Sequence, residues 1–316
     1  MLERVFLCLN FTKKVIFMNK RSNLFILIFL GIIWSSFSVF TKISAEFLSP
    51  FFVSFSRLFL GGICIYCVCL FRGKNIFVVK NFKYYAIVGF FNFALPFTLF
   101  SYSSRNLDSS IVAILDGTVP MFEVLISIFF LKRFVDKNAI LGVFFGIVGI
   151  IVTSYGASEV DVTLSQIFSA FLILTATCSY AGTSLYINAK CKNIEPLVLA
   201  AGSVIFSAIL LSPSLIFADL SVINFKVATS LLGLGLFCTG IAYIFYFQLM
   251  LDEGPRTAVS VVLLIPVFGT ILGTLFLGET VTISKIIGCV TILVSLKFIL
   301  NLSHQSFFKS KNAPAV

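Results

Sequence analysis

The chain has 316 residues, of which 59% are apolar and 11% are charged, and its mean hydropathy is +1.08. This composition excludes a soluble globular domain and indicates a polytopic, all-α membrane protein. The net charge of +10 does not indicate nucleic-acid binding, because the basic residues cluster in short gaps between apolar runs. There they set the membrane topology and meet anionic lipid headgroups.

Cysteine and histidine usage argues against a metal site, a cofactor or catalysis. Most of the eight cysteines lie inside apolar runs. Cys64 and Cys67 have the spacing of a redox or metal pair, but no histidine or acid is near them in the sequence, so packing explains them better. The single histidine, His304, lies in the C-terminal tail. The sequence therefore predicts no metal, no cofactor and no enzymatic centre.

Ten apolar runs follow one another along the chain. Each predicts one transmembrane helix, because about 20 helical residues cross the hydrocarbon core. The gaps leave no room for a soluble domain. The runs are Leu24–Ile43, Phe51–Phe71, Phe82–Ser103, Ser110–Leu131, Ala139–Tyr155, Ser165–Ile187, Leu197–Phe217, Val227–Leu251, Thr257–Leu277 and Ile283–Leu302.

The distribution of basic residues predicts that both termini are cytoplasmic. Lysine and arginine are concentrated in the two tails and in the gaps after runs two, four, six and eight, and cytoplasmic loops carry this excess. The bases on the other side are Lys42, Arg105, Lys226 and Lys285. Residues 1–23 and 303–316 are therefore predicted to be cytoplasmic tails, with Met1 or Met18 as the start. The phenylalanine-, lysine- and asparagine-rich composition is typical of an AT-rich bacterial genome, which predicts the bacterial inner membrane.

An offset of 146 residues relates the two halves of the chain. It pairs prolines with prolines and glycines with glycines, which chance similarity between apolar segments would not do. The pairs are Pro50 with Pro196, Pro120 with Pro266, Gly89 with Gly235, and Gly142 with Gly288. Residues 24–155 and 165–302 are therefore predicted to be five-helix repeats. Because five is odd, the second repeat is inverted in the membrane, an arrangement that supports alternating access.

The fourth run, Ser110–Leu131, is where transport chemistry is expected. It carries Asp116 and Glu123, and charges near the bilayer centre are costly and usually functional. A spacing of seven residues places both acids on one helix face, about 10 Å apart along the axis. Pro120 has no N–H to bond the Asp116 carbonyl, so a broken helix would offer a carboxylate and a free carbonyl together. Alternatively, an acid here only pairs with a base to hold helices together.

Other residues within the runs are candidates for a substrate path. Arg57 in run two would need an acid partner, Asp116 or Glu123, unless its side chain reaches out to the membrane surface. Further candidates for contact with substrate or ion are Trp34, Asn92, Tyr180 and Tyr243. The three rings would form a cage for an organic cation, or else pack against lipid and neighbouring helices. Pro266 is predicted to interrupt run nine.

Runs five and ten differ from the others. Run five has glycines at positions 142, 146 and 149 and no charge, a spacing typical of close helix packing. We interpret both runs as support or as an oligomer surface outside the substrate path. A monomer or a homodimer fits this interpretation.

The chain resembles the drug/metabolite transporter superfamily, EamA type. The resemblance rests on Pro120 in AILDGTVPMFEVL, Pro266 in VVLLIPVFGTILGTLFLGE, the Gly278-Glu279 pair closing run nine, and glycines 142 and 288 early in runs five and ten. The first half departs from the pattern, since Lys132-Arg133 stands where Gly-Glu is usual and acids at 116 and 123 are unusual. The resemblance implies a five-plus-five inverted repeat with a central cavity formed by runs one to four and six to nine. It also implies a secondary carrier of small metabolites, such as amino acids and their derivatives, or of drugs.

These features predict a secondary active transporter of small polar metabolites, cationic or zwitterionic, with protons as the candidate coupling ion. Asp116 would titrate or bind a substrate ammonium, with Glu123 second and Arg57 as counter-ion. An uncoupled exchanger or an efflux carrier is the alternative within the same class. A membrane scaffold without transport is the alternative from another class, and the inverted repeat argues against it because scaffolding needs no pseudo-symmetry.

Overall fold

The computed structural model describes residues 20–132, 137–155, 163–253 and 260–302. Every regular element within these ranges is helical. Seven helical stretches are long and apolar enough to cross a membrane, and the shorter helices Lys137–Thr153 and Ile265–Leu277 are also apolar. The fold is therefore that of an all-α polytopic membrane protein, as the composition predicts. Met18, His304 and most of both predicted tails lie outside the described residues.

The described residues contain thirteen α-helices, because three of the predicted runs are each divided in two. In the first half they are α1 (Lys20–Ala45), α2 (Pro50–Phe71), α3 (Phe82–Gly89), α4 (Leu95–Ser103), α5 (Ser109–Asp116), α6 (Val119–Phe129) and α7 (Lys137–Tyr155). In the second half they are α8 (Leu164–Lys190), α9 (Pro196–Leu211), α10 (Phe225–Leu232), α11 (Ala242–Glu253), α12 (Ile265–Leu277) and α13 (Ile283–Leu302). Short 3₁₀ turns are found at Val79–Asn81, Ser212–Leu215, Leu220–Val222 and Ser260–Leu263.

Matching π-helical segments join α3 to α4 and α10 to α11. They span Phe90–Ala94 and Gly233–Ile241, and the repeat offset places the first inside the second. In the first half Pro96 contributes, since it has no N–H to bond the carbonyl of Asn92. In the second half Ala242 stands at the equivalent position, so proline is not the shared cause. Wide turns of this kind are frequent at functional sites.

The most extensive helix contacts join elements of different halves. Helix α2 packs along the second π segment and along α9, while α9 packs along α3 and the first π segment. The hydroxyl of Ser207 in α9 donates to the carbonyl of Gly89 in α3 at 2.6 Å. In the same way α5 packs on α12, and α7 packs on α13. The interior of the protein is therefore shared between the halves.

The glycines of run five bring α7 close to α13. A Cβ added at Gly149 would lie 2.6 Å from Cγ1 of Ile292 and 3.2 Å from its backbone nitrogen. These distances are shorter than van der Waals contact, so only glycine fits without a shift of one helix. The small-residue stripe thus packs two helices of the same chain.

Replacing Gly149 by alanine is expected to lower the free energy of unfolding by about 1–3 kcal/mol, because the added methyl overpacks this helix contact. Thermal unfolding of the purified protein in detergent measures the loss. Gly182 in α8 is the matched control, since its Cβ would meet only Cδ1 of Ile126 at 3.9 Å. Gly182→Ala is expected to be neutral or to stabilise by about 0.5–1 kcal/mol through helix propensity. Equal destabilisation by both changes would contradict the packing role of Gly149.

Lys132 and Gly278 stand at equivalent positions of the two repeats and share a left-handed backbone, with φ of +48° and +66°. Each follows the end of a helix, α6 or α12. Glycine adopts this conformation without steric cost, whereas a residue with a Cβ is strained by about 1–2 kcal/mol. The lysine that departs from the Gly-Glu pattern therefore occupies a position that favours glycine.

Lys132→Gly is expected to raise the free energy of unfolding by about 1 kcal/mol, because it removes the strain at this left-handed residue. Thermal unfolding in detergent is again the measurement. Lys132→Ala keeps the Cβ and is expected to give no gain. If alanine stabilised the protein as much as glycine, the long lysine side chain rather than the backbone would be the source of the effect.

Candidate functional site

The predicted fourth helix is broken directly after Asp116. Helix α5 ends there, and the backbone N–H groups of Gly117 and Thr118 turn back to the carbonyls of Ile114 and Leu115, at 3.2 Å and 3.1 Å. Pro120 lies in the first turn of α6. Among the described residues, no backbone hydrogen bond ends on the Asp116 carbonyl. Because of the break, helical register does not fix the angle between Asp116 and Glu123, contrary to the prediction of one shared helix face.

The second helix-breaking proline lies beside the same turn. Pro266 is in the first turn of α12, after the 3₁₀ turn Ser260–Leu263. A Cβ added at Gly117 would lie 3.1 Å from Cγ of Pro266. The hydroxyl of Ser35 in α1 donates to the carbonyl of Ile265 at 3.2 Å. The two halves therefore meet at their proline turns, next to Asp116.

Asp116 lies deep in the protein but keeps part of its surface accessible. It interacts electrostatically with Arg57, Tyr180 and Tyr243, all of which come from other helices. Both tyrosines are also deep and only half-buried. Four of the predicted site residues are therefore brought together.

Arg57 points into the protein and is only 8% exposed. Its Nε donates to Oγ1 of Thr239 at 3.0 Å. Its Cζ lies 3.7 Å from the ring centre of Phe97 and 5.6 Å from that of Phe37. The side chain is therefore not exposed at the surface of the protein. Its predicted ion pair with Asp116 or Glu123 is not among those of the described residues, which are Lys42–Asp108, Lys74–Glu195 and Lys285–Asp108.

Glu123 occupies a different environment from Asp116. It lies on α6, is half-buried, and interacts electrostatically with Ser184 of α8. It also interacts electrostatically with Tyr246 of α11. One acid therefore faces Arg57 and two tyrosines, and the other faces a serine and a third tyrosine.

Two of the three rings predicted to form an aromatic cage are in contact. The Trp34 ring centre lies 6.1 Å from that of Tyr243 and 5.1 Å from that of Tyr246. Tyr180 instead stacks on Phe100 at 6.0 Å and reaches Tyr243 electrostatically. Trp34 and Tyr243 thus share one cluster, with Tyr180 at its side.

Asn92 lies on the first π segment and is half-buried. The structure shows no hydrogen bond for its side-chain amide within the described ranges. The neighbouring carbonyl of Phe91 accepts a hydrogen bond from the hydroxyl of Ser179 in α8, at 2.6 Å. The structure therefore places Asn92 at a wide turn but does not join it to the Asp116 cluster.

Three polar residues of the site are not among the predicted site residues. Thr239 accepts a hydrogen bond from Arg57, Ser184 interacts electrostatically with Glu123, and Tyr246 touches Trp34. Single hydroxyl groups are common in membrane helices, so composition does not single them out.

A lateral groove of about 370 Å³ lies between α2 and α9. Its walls are almost entirely apolar and include Phe55, Phe59, Ile63 and Ile209. None of the predicted site residues lines it. The groove therefore offers no polar chemistry for a substrate of the kind that Asp116 would bind.

A charged cluster at the start of α5 links the two halves. The carboxylate of Glu279 accepts hydrogen bonds from the backbone N–H groups of Ser109, at 2.5 Å, and Ser110, at 3.0 Å. It also accepts one from the Ser110 hydroxyl at 2.6 Å. A carboxylate from the second half thus caps the helix that ends at Asp116, as helix N-termini favour. The glutamate of the Gly-Glu pattern has a structural role here.

Asp108, which precedes α5, binds lysines instead of capping its own helix. Its carboxylate lies 2.7 Å from Nζ of Lys285 and 3.8 Å from Nζ of Lys42. Lys285 is 1% exposed and also donates to the Thr280 carbonyl at 2.8 Å. The cluster therefore holds a fully buried lysine from the second half on an acid of the first.

Comparison with known proteins agrees with this architecture. The sequence profile of the EamA-like transporter family matches the chain twice, over residues 21–155 and 167–301. The uncharacterized transporter YoaV of Bacillus subtilis is 24% identical over 83% of this chain and 90% of its own length. The uncharacterized inner membrane transporter YedA of Escherichia coli is 28% identical over 80% of this chain and 82% of its own.

Two further similarities cover nearly the full length. An uncharacterized transporter of Buchnera aphidicola is 25% identical over 93% of this chain and 98% of its own length. A solved crystal structure aligns with a TM-score of 0.64 over 90% of this chain and 99% of that chain, at 17% identity. At this identity the structural similarity concerns the fold alone.

Proposed function

Because the chain belongs to the EamA-like transporter family, and is thus a multi-pass transporter rather than an enzyme, we propose that it is a secondary active carrier of small polar metabolites. The proposed substrates are amino acids or their derivatives that are cationic or zwitterionic. Transport proceeds by alternating access of the two repeats and is coupled to protons.

Asp116 is the observation that supports this proposal most directly. It lies deep in the protein at a helix break, and no base lies within ion-pair distance of it among the described residues. Burial of a charge without a close partner is unfavourable. A bound proton or a substrate ammonium group would neutralise the Asp116 carboxylate, which no described base does by an ion pair.

Competition between protons and substrate for the Asp116 carboxylate would couple the transport of substrate to the transport of protons. Either a proton or an ammonium group neutralises Asp116, so each displaces the other from one site. Tyr180 and Tyr243 interact electrostatically with the carboxylate, and aromatic rings near it would attract organic cations. A carrier that reorients only when Asp116 is neutralised would then exchange substrate for protons.

The membrane orientation belongs to the same proposal. We place residues 1–23 and 303–316 in the cytoplasm, because the excess of lysine and arginine is on that side. We place the repeats at residues 24–155 and 165–302, in the bacterial inner membrane. The name of the relative YedA, an inner membrane transporter, supports this location.

Uptake into proteoliposomes tests the proposal. Labelled amino acids and amines are offered one at a time, with and without an imposed pH gradient. A proton-coupled carrier accumulates its substrate above equilibrium, and a protonophore abolishes the accumulation. An uncoupled exchanger only equilibrates label, with or without the gradient. If none of these compounds were transported under either condition, the assignment to small polar metabolites would be wrong.

A further inference from the structure

We propose that Arg57 binds a carboxylate of the transported metabolite, so that the substrate is zwitterionic rather than simply cationic. This proposal rests on the proposed function only in that it takes the Asp116 cluster as the place where substrate binds. It adds a second recognition group to that site and narrows the substrate class.

The hydrogen bonding of Arg57 leaves one side of its guanidinium available. Nε is engaged by Oγ1 of Thr239 at 3.0 Å, and no described residue accepts a hydrogen bond from either terminal nitrogen. The Phe97 ring, 3.7 Å from Cζ, covers the guanidinium plane. An arginine held in this way presents its two Nη groups side by side. That pair matches the two oxygens of a carboxylate.

Arg57 is only 8% exposed, yet its terminal nitrogens are not fully sealed from solvent. Some described residues have fully buried side-chain oxygens without a hydrogen-bond partner, for example Ser127 and Thr153. The Arg57 nitrogens do not belong to this group. An arginine without an acidic partner is unfavourable inside a membrane protein, and ionisable residues in membrane segments usually line a cavity or a substrate path. The geometry therefore points to a ligand as the missing acceptor.

The position of Asp116 explains why the substrate would carry both charges. Arg57 and Asp116 interact electrostatically, yet they do not form an ion pair within 4.0 Å. Opposite charges held further apart than an ion pair suit a molecule whose own charges are separated. The α-amino and α-carboxyl groups of an amino acid have this arrangement, with the ammonium towards Asp116 and the carboxylate towards Arg57.

Trp34 provides a direct measurement of binding, because it is the only tryptophan of the chain. It touches Tyr243, whose ring lies 5.7 Å from that of Phe93, and Phe93 lies 5.8 Å from Phe97 under the guanidinium. The probes are the twenty standard L-amino acids, each titrated into the purified protein while Trp34 emission is recorded. Every amino acid that binds is then compared with its α-amide, which keeps the ammonium and lacks the carboxylate.

Binding is expected to fall about 10- to 100-fold when the carboxylate is replaced by the amide, which is the range for a charge-assisted hydrogen-bond pair. Arg57→Lys keeps the charge but loses the paired Nη groups, and it is expected to remove this preference for the acid. Thr239→Val leaves Arg57 in place but frees Nε, and it is expected to weaken the preference without removing it. Ser203→Ala, at the position equivalent to Arg57 in the second repeat, is the control and is expected to bind as the wild type does.

The outcomes separate this proposal from the proposed function. If amides and free amines bind as well as the acids, or if Arg57→Lys retains the wild-type preference, the carboxylate role of Arg57 is wrong, while a carrier of cations remains possible. If no amino acid alters Trp34 emission, the proposal is likewise overturned. If acids bind through Arg57 but transport is insensitive to the pH gradient, Arg57 keeps its role and proton coupling fails.

Discussion

Asp116→Asn is expected to abolish the accumulation of substrate driven by a pH gradient, so that the internal concentration in proteoliposomes only reaches the external one. Asparagine has nearly the same shape as aspartate but cannot take up or release a proton. It also cannot neutralise a substrate ammonium. The same change removes a buried carboxylate that no described base pairs within ion-pair distance, so the variant is expected to be at least as stable as the wild type.

Asp219→Asn is the matched control for this change. Asp219 is an exposed acid before the 3₁₀ turn Leu220–Val222, and it accepts a hydrogen bond from the hydroxyl of Ser221 at 2.6 Å. This variant is expected to accumulate substrate as the wild type does. Gradient-driven accumulation that persists in Asp116→Asn would exclude Asp116 from proton coupling. In that event Glu123→Gln is the next variant to measure, because Glu123 is the other deep acid of this helix pair.

Asp108→Asn is expected to lower the free energy of unfolding by about 2–3 kcal/mol, because it leaves a buried lysine without its counter-ion. Lys285 is 1% exposed, and the Asp108 carboxylate lies 2.7 Å from its Nζ. Asp108 itself is 35% exposed, so the expected loss is at the low end for a broken buried pair. Lys42 would lose the same partner. Thermal unfolding in detergent measures the effect.

Two comparisons make this prediction specific. Glu195→Gln breaks the pair with Lys74, in which the side chains are 42% and 41% exposed, and is expected to cost about 1 kcal/mol or less. Lys285→Met removes the buried charge itself and leaves Asp108 with Lys42. It is therefore expected to cost less than Asp108→Asn. Equal losses in all three variants would mean that the burial of Lys285 has no influence on stability.

Local features of the fold can be predicted because a single segment contains their cause. Pro50 and Pro196 stand at the first turn of α2 and α9, where a missing N–H costs nothing. The break near Pro120 follows from the same chemistry. Run seven, in contrast, is predicted to extend to Phe217, whereas α9 ends at Leu211 and a 3₁₀ turn follows. Hydropathy does not distinguish a helix from an apolar turn.

Contacts between the halves cannot be predicted from the sequence. The sequence predicts an acid partner for Arg57, but Thr239, which lies 182 residues away along the chain, holds it instead. The charge distribution assigns Lys285 to the non-cytoplasmic end of run ten, but it does not show that this lysine is buried on Asp108. Periodicity shows which face of a helix is apolar, but it does not show which helix covers that face. The repeat offset shows which positions of the two halves are equivalent, but it does not show which residues contact each other.

The shared interior of the two halves has a consequence for biosynthesis. The first five membrane segments leave the ribosome before the surfaces that cover them exist, since α2, α5 and α7 are completed by the second π segment, α12 and α13. Until translation ends, Arg57 and Asp116 have no enclosed site, and the nascent chain must hold them in the bilayer in an unfinished assembly. A prematurely terminated product would keep those charges exposed to lipid, which makes it a ready substrate for membrane quality control.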